Sequence, residues 1–431
     1  MIPKEVNNVD KKVKDLTVYN NRFAEDPASF NDYQAADYVR ELKNQGKEDE
    51  AIDVGRTFME VAPHLKGYIN YYGYALYNRY INIPEEKINE KEHIFYEILD
   101  EIAKVCKQER YSPLEAAVNK AIKHVTKQTP VDYQKMSDLL DYLDAPTLEE
   151  TPFVNKDGKE FESKKEKWYR MKIRALYEIG DYKACLERAN EALALPITWH
   201  YFNLNWVKYY RGSALVALGE YQEGENEFLA LKDNFRAVDF TQVMYNLYKN
   251  TDRESEANIY VLYEFFLSGC NYRSMNLYKL VLDIVTEKEQ TNAIKYGKVF
   301  IAKMEEEQGN TVDTDVDLSE FDGYSADQMF DKFYREVMNN LSLYVDRKEG
   351  RVVYYNEEKQ YGSIADTNNQ DRDRRNNVFF RQADFIDDEK VERRDYVEYS
   401  VVKTYDRRRQ QPSTKAVLLR TIDHDDFYFG Y

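Results

Sequence analysis

The apolar residues of this chain change their spacing once, and that change constrains the fold more than any other feature. From about residue 32 to residue 308 they recur every three or four positions, in stretches separated by short turns. That is the spacing of amphipathic helices packed side by side. From Gly350 the spacing becomes two, and β-branched and aromatic residues cluster, as in half-buried strands. A helical part followed by a small all-β part is therefore predicted, in a chain whose 431 residues suit two or three domains. With only 16 Gly and 10 Pro, long regular elements are favoured over loops.

An internal repeat runs through the helical part. Residues 174–185 (RALYEIGDYKAC) align without gaps with residues 213–224 (SALVALGEYQEG), so that Ala175, Leu176, Gly180 and Tyr182 fall on Ala214, Leu215, Gly219 and Tyr221. Each copy reads as the end of a helix, a Gly that leaves it in the left-handed conformation, and an aromatic that opens the next helix. Residues 32–63, with Leu42, Gly46, Ala51 and Phe58, follow the same plan. Further helices are predicted through 86–107, 113–127, 133–143 and 240–307. Two stretches break the pattern. Residues 147–163 contain Lys156-Asp157-Gly158 and are predicted as a loop or short β-hairpin inserted between helices. Residues 309–324 read as an acidic linker, followed by a connecting helix from Ser325 to about Tyr344.

These positions resemble the tetratricopeptide repeat, best over residues 168–196 and 205–231. Cys185 and Gly224 stand where that family prefers Ala. The resemblance implies an all-α solenoid over residues 1–308 whose concave face takes one or more protein partners. Aromatic stretches such as 68–80 read mainly as its core.

The β part resembles a cold-shock domain. Residues 350–356 (GRVVYYN) match its first strand, 359–364 (KQYGSI) its first nucleic-acid-binding motif and 377–381 (NVFFR) its second. Residues 395–402 and 415–419 fit strands four and five. The resemblance implies a five-stranded OB-type barrel over residues 346–422. A linker and helix (309–345) would join it to the solenoid, and an acidic, aromatic tail (423–431) would follow. It also implies a ligand, single-stranded RNA or DNA with RNA favoured. Bases would stack on Tyr354, Tyr361 and Phe379, and Arg381 would stack or neutralise phosphate. Arg351 and Lys359, with the run Arg407-Arg408-Arg409, would track the backbone. Phe380 and Tyr355 are expected in the core. The loop 366–376, with Arg372, Arg374 and Arg375, reads equally as solvated or as a phosphate contact. Ser363 and Gln382 replace aromatics of the family pattern, and Arg381 replaces its usual histidine. Weaker binding is therefore expected than in a full cold-shock protein. The alternative is a barrel that serves as a protein-docking module without nucleic-acid binding.

Charge is distributed to match. The chain carries −17, from 61 Lys+Arg against 78 Asp+Glu, yet residues 347–422 hold 17 basic against 14 acidic side chains. The remainder then carries −20. A basic module on an acidic scaffold suits a polyanion ligand held at one place.

Motifs for other chemistry are missing from the sequence. There is no Walker-type glycine loop, CxxC pair or HExxH. His64, His93, His124, His200 and His424 lack metal-ligand spacing. Asp313, Asp315 and Asp317 begin like a calcium loop, but Leu318 and Tyr324 stand where Gly and Glu are required. No enzyme activity, metal or cofactor is expected. Cys106, Cys185 and Cys270 are scattered through helical contexts and read as core thiols of a cytoplasmic protein. No run of about 18 apolar residues predicts a membrane span, and the start lacks the apolar region of a secretory signal. The combined reading is a non-enzymatic adaptor. Its pairing of modules resembles that of bacterial proteins of antiviral or conflict systems, which implies a role in RNA regulation or antiviral defence.

Overall fold

The computed structural model describes residues 14–310, 315–366, 377–387 and 390–423. Asp313, the arginines Arg372, Arg374 and Arg375, and the tail beyond Asp423 with His424 lie outside the described residues. The chain divides into two compact units, Met1–Tyr210 and Arg211–Tyr431.

The first unit contains α1 (Thr17–Glu25), α2 (Asp32–Asn44), α3 (Glu48–Val61), α4 (Ile69–Leu76), α5 (Glu85–Glu90), α6 (Glu92–Val105), α7 (Leu114–Val125), α8 (Tyr133–Leu140), α9 (Lys164–Glu178) and α10 (Tyr182–Ala194). The stretch 86–107 holds two helices, α5 and α6, divided where Lys91 leaves the helical conformation (φ −136°, ψ 43°). The expected insertion is a hairpin of β1 (Phe153–Val154) and β2 (Glu160–Phe161). Its turn is organised by the Asn155 side chain, whose Oδ1 accepts from the backbone N–H groups of Asp157 and Lys159. The division between the units falls within α11 (Asn203–Ala217).

The second unit holds α12 (Tyr221–Leu231), α13 (Phe240–Lys249), α14 (Glu254–Ser268), α15 (Met275–Glu287), α16 (Thr291–Glu307) and α17 (Ala326–Asn339). The connecting helix thus ends earlier than its sequence pattern suggests, and a short 3-10 turn, Leu341–Leu343, carries the chain onward. The repeat is present at atomic level in the turns. Gly180 and Gly219 have φ +82° and +88°. Behind them Asp181 N–H bonds to Leu176 O and Glu220 N–H to Leu215 O, the same six-residue closure at an offset of 39. Lys47 N–H closes on Leu42 O around Gly46 in the same way. A residue with a Cβ is strained at that φ, which is why glycine recurs there.

The strands of the second unit are β3 (Lys348–Asn356), β4 (Tyr361–Asp366), β5 (Val378–Arg381), β6 (Tyr396–Asp406) and β7 (Gln411–Ile422). They form a mixed sheet in the order β3-β4-β5-β7-β6, with β6 also paired to β3. The described strand pairs are antiparallel except β5–β7, where Phe379 lies beside Lys415, and an isolated bridge from Phe385 to Leu419 is parallel as well. β6 and β7 run longer than their sequence motifs because the hairpin continues to Asp406 and Gln411. Val352, Ile364, Phe380, Val397, Tyr399 and Leu419 pack together as the core of this sheet. Burying the Phe380 ring alone contributes on the order of 2–3 kcal/mol.

In the sheet, Gly350 and Gly362 are required by close approach. A Cβ on Gly350 would overlap Ile364 Cγ2 and come within 2.9 Å of the Ala365 carbonyl oxygen. On Gly362 it would overlap the Tyr354 carbonyl oxygen and sit 2.5 Å from Phe380 Cζ. Backbone cannot yield as a flexible side chain can, so Gly362→Ala should cost about 1–3 kcal/mol. Urea denaturation of the full chain measures this. A variant within about 0.5 kcal/mol of the parent would mean that the strands are not held this close.

Candidate nucleic-acid interface

β3 carries an extra residue. Val352 pairs with Ile364 and Tyr354 pairs with Ser363, so Val353 has no partner of its own in the ladder. Uninterrupted alternation would place Tyr355 on the face of Arg351 and turn Tyr354 inward with Val352. The bulge resets the alternation. Arg351 and Tyr354 consequently share the outer face, and Tyr354 is 47% exposed. Tyr355 turns inward, where its ring lies parallel to that of Phe380 at 6.1 Å. Its hydroxyl donates to Gln382 Oε1 at 2.9 Å.

On the outer face the register brings the expected aromatics into one group. Tyr354, Ser363 and Phe379 lie across β3, β4 and β5 in one row, and Asn356, Tyr361 and Arg381 in the next. The Tyr361 ring lies 6.1 Å from that of Tyr354 and 5.7 Å from that of Phe379. Phe379 is 39% exposed. A hydrogen bond with Tyr354 pushes the Tyr361 phenol up from its ordinary pKa. These are three half-open rings on a regular platform, a surface suited to planar ligands.

Cations surround it. Arg381 is exposed beside Tyr361. Lys359 is exposed in the β3–β4 turn rather than on a strand, and Asn356 Oδ1 holds its backbone N–H at 2.8 Å. Arg351 lies over the Tyr396 ring at 5.5 Å, and its Nε donates to the Arg394 carbonyl. Arg407–Arg409 stand apart at the tip of the β6–β7 hairpin, where Arg407 pairs with Asp233 at 3.1 Å.

α12 and α14 pack against the sheet at β6 and β7. Two buried polar clusters make that junction. Asp384 accepts from the Tyr263 hydroxyl of α14 (2.8 Å) and from Lys415 Nζ of β7 (2.7 Å) through Oδ1. Its Oδ2 accepts the backbone N–H of Arg381 at 2.8 Å. Burial pushes the Lys415 ammonium down and the Tyr263 phenol far up. The candidate cation Arg381 is thus held by a network anchored on a helix. Sequence reasoning missed Tyr263 and Lys415, because nothing local links Tyr263 to Asp384, 121 positions away. The nearness of Asp384 to Arg381 was the only available signal.

The second cluster centres on Glu225 of α12, which is fully buried. Its carboxylate accepts from the Tyr248 hydroxyl (2.7 Å), from both terminal nitrogens of Arg253 (3.1 and 3.2 Å) and from Lys403 Nζ of β6 (3.0 Å).

Among the described residues no group of three or more His, Cys, Asp or Glu is placed to hold a metal ion. No helix among them is long and apolar enough to cross a membrane. No protein-family model and no curated protein matches the chain.

Proposed function

We propose that this protein is a non-enzymatic adaptor whose C-terminal sheet is a cold-shock-like OB barrel that binds single-stranded nucleic acid, RNA favoured. Its tetratricopeptide-like helices would form a solenoid for a protein partner. The observation that carries the reading is the outer face of β3–β5. Tyr354, Tyr361 and Phe379 form one open aromatic group there, flanked by Arg351, Lys359 and Arg381. Stacking of unpaired bases contributes about 1–3 kcal/mol each and needs exposed rings, and flanking cations supply phosphate contacts. Among the described residues α12 and α14 pack on β6 and β7, while Tyr354 and Phe379 stay exposed. Gln382, which departs from the family pattern, has taken on the Tyr355 hydroxyl and does not obstruct the rings.

The test is fluorescence anisotropy of the full chain with a labelled single strand and with the duplex of the same sequence, at low salt. The single strand should bind and the duplex should bind weakly, because a duplex hides its base faces. In the same assay Arg381→Ala should weaken binding and flatten the log–log salt slope by roughly 0.7, the loss of one phosphate contact on a single strand. Equal affinity for both forms, or for neither, would favour the protein-docking alternative.

A further inference from the structure

Beside the aromatic face the second unit has an open groove of about 800 Å³, between the β3–β4 turn and helices α14 and α17. Phe266 and Tyr334 line it from the helices, and Tyr355 and Phe385 from the sheet. Gln360 and Gln382 bring amide side chains to its mouth, at a point where Gln382 N–H bonds to Gln360 O at 2.9 Å. Aromatic walls with a few polar groups at the edge suit a planar, uncharged heterocycle. The rim carries Glu357, Asp387 and Glu392 against Lys390, so it disfavours phosphate.

The neighbours in sequence of the two glutamines resolve this mismatch. Lys359 precedes Gln360 and Arg381 precedes Gln382, and both cations are exposed. Each cation is thus one residue from a glutamine of the groove's mouth, so a phosphate bound by Lys359 and Arg381 would sit outside the acidic rim with its base directed to the amides. We propose that the groove takes the nucleobase of the nucleotide that follows those stacked on Tyr354, Tyr361 and Phe379. This rests on the interface reading above and adds a base site that the aromatic pattern does not contain.

The experiment uses the full chain and oligothymidylates of three and four nucleotides, extended at either end, the fourth carrying a base or being abasic. Ala383→Trp fills the groove from an exposed position that does not touch the three rings; Gln360→Ala removes one amide. Circular dichroism and thermal melting verify that both variants are folded. For the parent protein, a fourth base at one end should raise affinity about tenfold, one stacked base's share. The abasic fourth nucleotide should give no such gain, and Ala383→Trp should abolish the gain while binding the trimer like the parent. Gln360→Ala should reduce the gain. A gain that survives in the abasic oligomer belongs to phosphate, and one that survives in Ala383→Trp belongs elsewhere; either overturns the proposal. Trimer binding with no gain on extension overturns the groove alone. A parent protein that binds no oligomer overturns the interface reading and the groove together.

Discussion

Glu225→Gln should lower the stability of the folded chain by about 3 kcal/mol at neutral pH. The carboxylate is fully buried and is shared by Arg253, Tyr248 and Lys403. Removing one partner of a buried ion pair costs about 3–5 kcal/mol, because the remaining charge stays desolvated. Here the two cations are 23% and 32% exposed, so solvent screens part of the loss and the lower end applies. Urea denaturation at pH 7 measures the effect. Lys403→Met in the Glu225→Gln background should cost less than in the parent, since Lys403 would by then have lost its counter-charge.

The pH dependence follows from the same residue. Burial pushes the Glu225 carboxyl up, but hydrogen bonds from Arg253, Tyr248 and Lys403 outweigh it and hold the group below its ordinary value of 4.5. A carboxyl depressed in the folded state stabilises fully above its unfolded value and loses that contribution as pH falls through the folded one. The parent should therefore lose stability faster than Glu225→Gln as pH drops below about 4.5, and the two should converge in acid. Equal stability of the two proteins at pH 7 would show that the cluster does not hold β6 to α12.

The second large effect concerns binding. Tyr361→Ala combined with Phe379→Ala should weaken single-strand binding by about 2–6 kcal/mol, since each ring stacks one base at roughly 1–3 kcal/mol. The rings lie 5.7 Å apart, so the double change need not equal the sum of the single ones. The salt slope should stay as in the parent, because no phosphate contact is lost. Both side chains are on the outer face, so thermal stability should change little, whereas Phe380→Ala, in the core, should destabilise by about 3–5 kcal/mol. Unchanged affinity in the folded double variant would remove these rings from the interface.

Much of this architecture was legible in the residues. Local rules act over a few positions, so the change of apolar spacing, the glycine turns at Gly46, Gly180 and Gly219, and a loop or short hairpin at Lys156-Asp157-Gly158 could all be read from sequence. The grouping of Tyr354, Tyr361 and Phe379 was legible only through the cold-shock resemblance, since alternation by itself assigns Tyr354 to the wrong side. Helix ends were less legible. The break at Lys91 and the early end of α17 at Asn339 have no marker as clear as a glycine or proline.

The sequence by itself determined where helices give way to strands, which residues turn the chain, and that Phe380 belongs to an apolar core. Each of these depends on residues within a turn or a strand's length of one another. Tertiary structure decided the rest. The extra residue at Val353 aims Tyr354 outward and Tyr355 inward, because the register with β4, not the local alternation, sets which side chains share a face. Likewise Asp384 reaches Tyr263 and Glu225 reaches Lys403 only after the strands have packed on α12 and α14. Those contacts join residues 121 and 178 positions apart, and a charge so buried is tolerable only when folding delivers its partner.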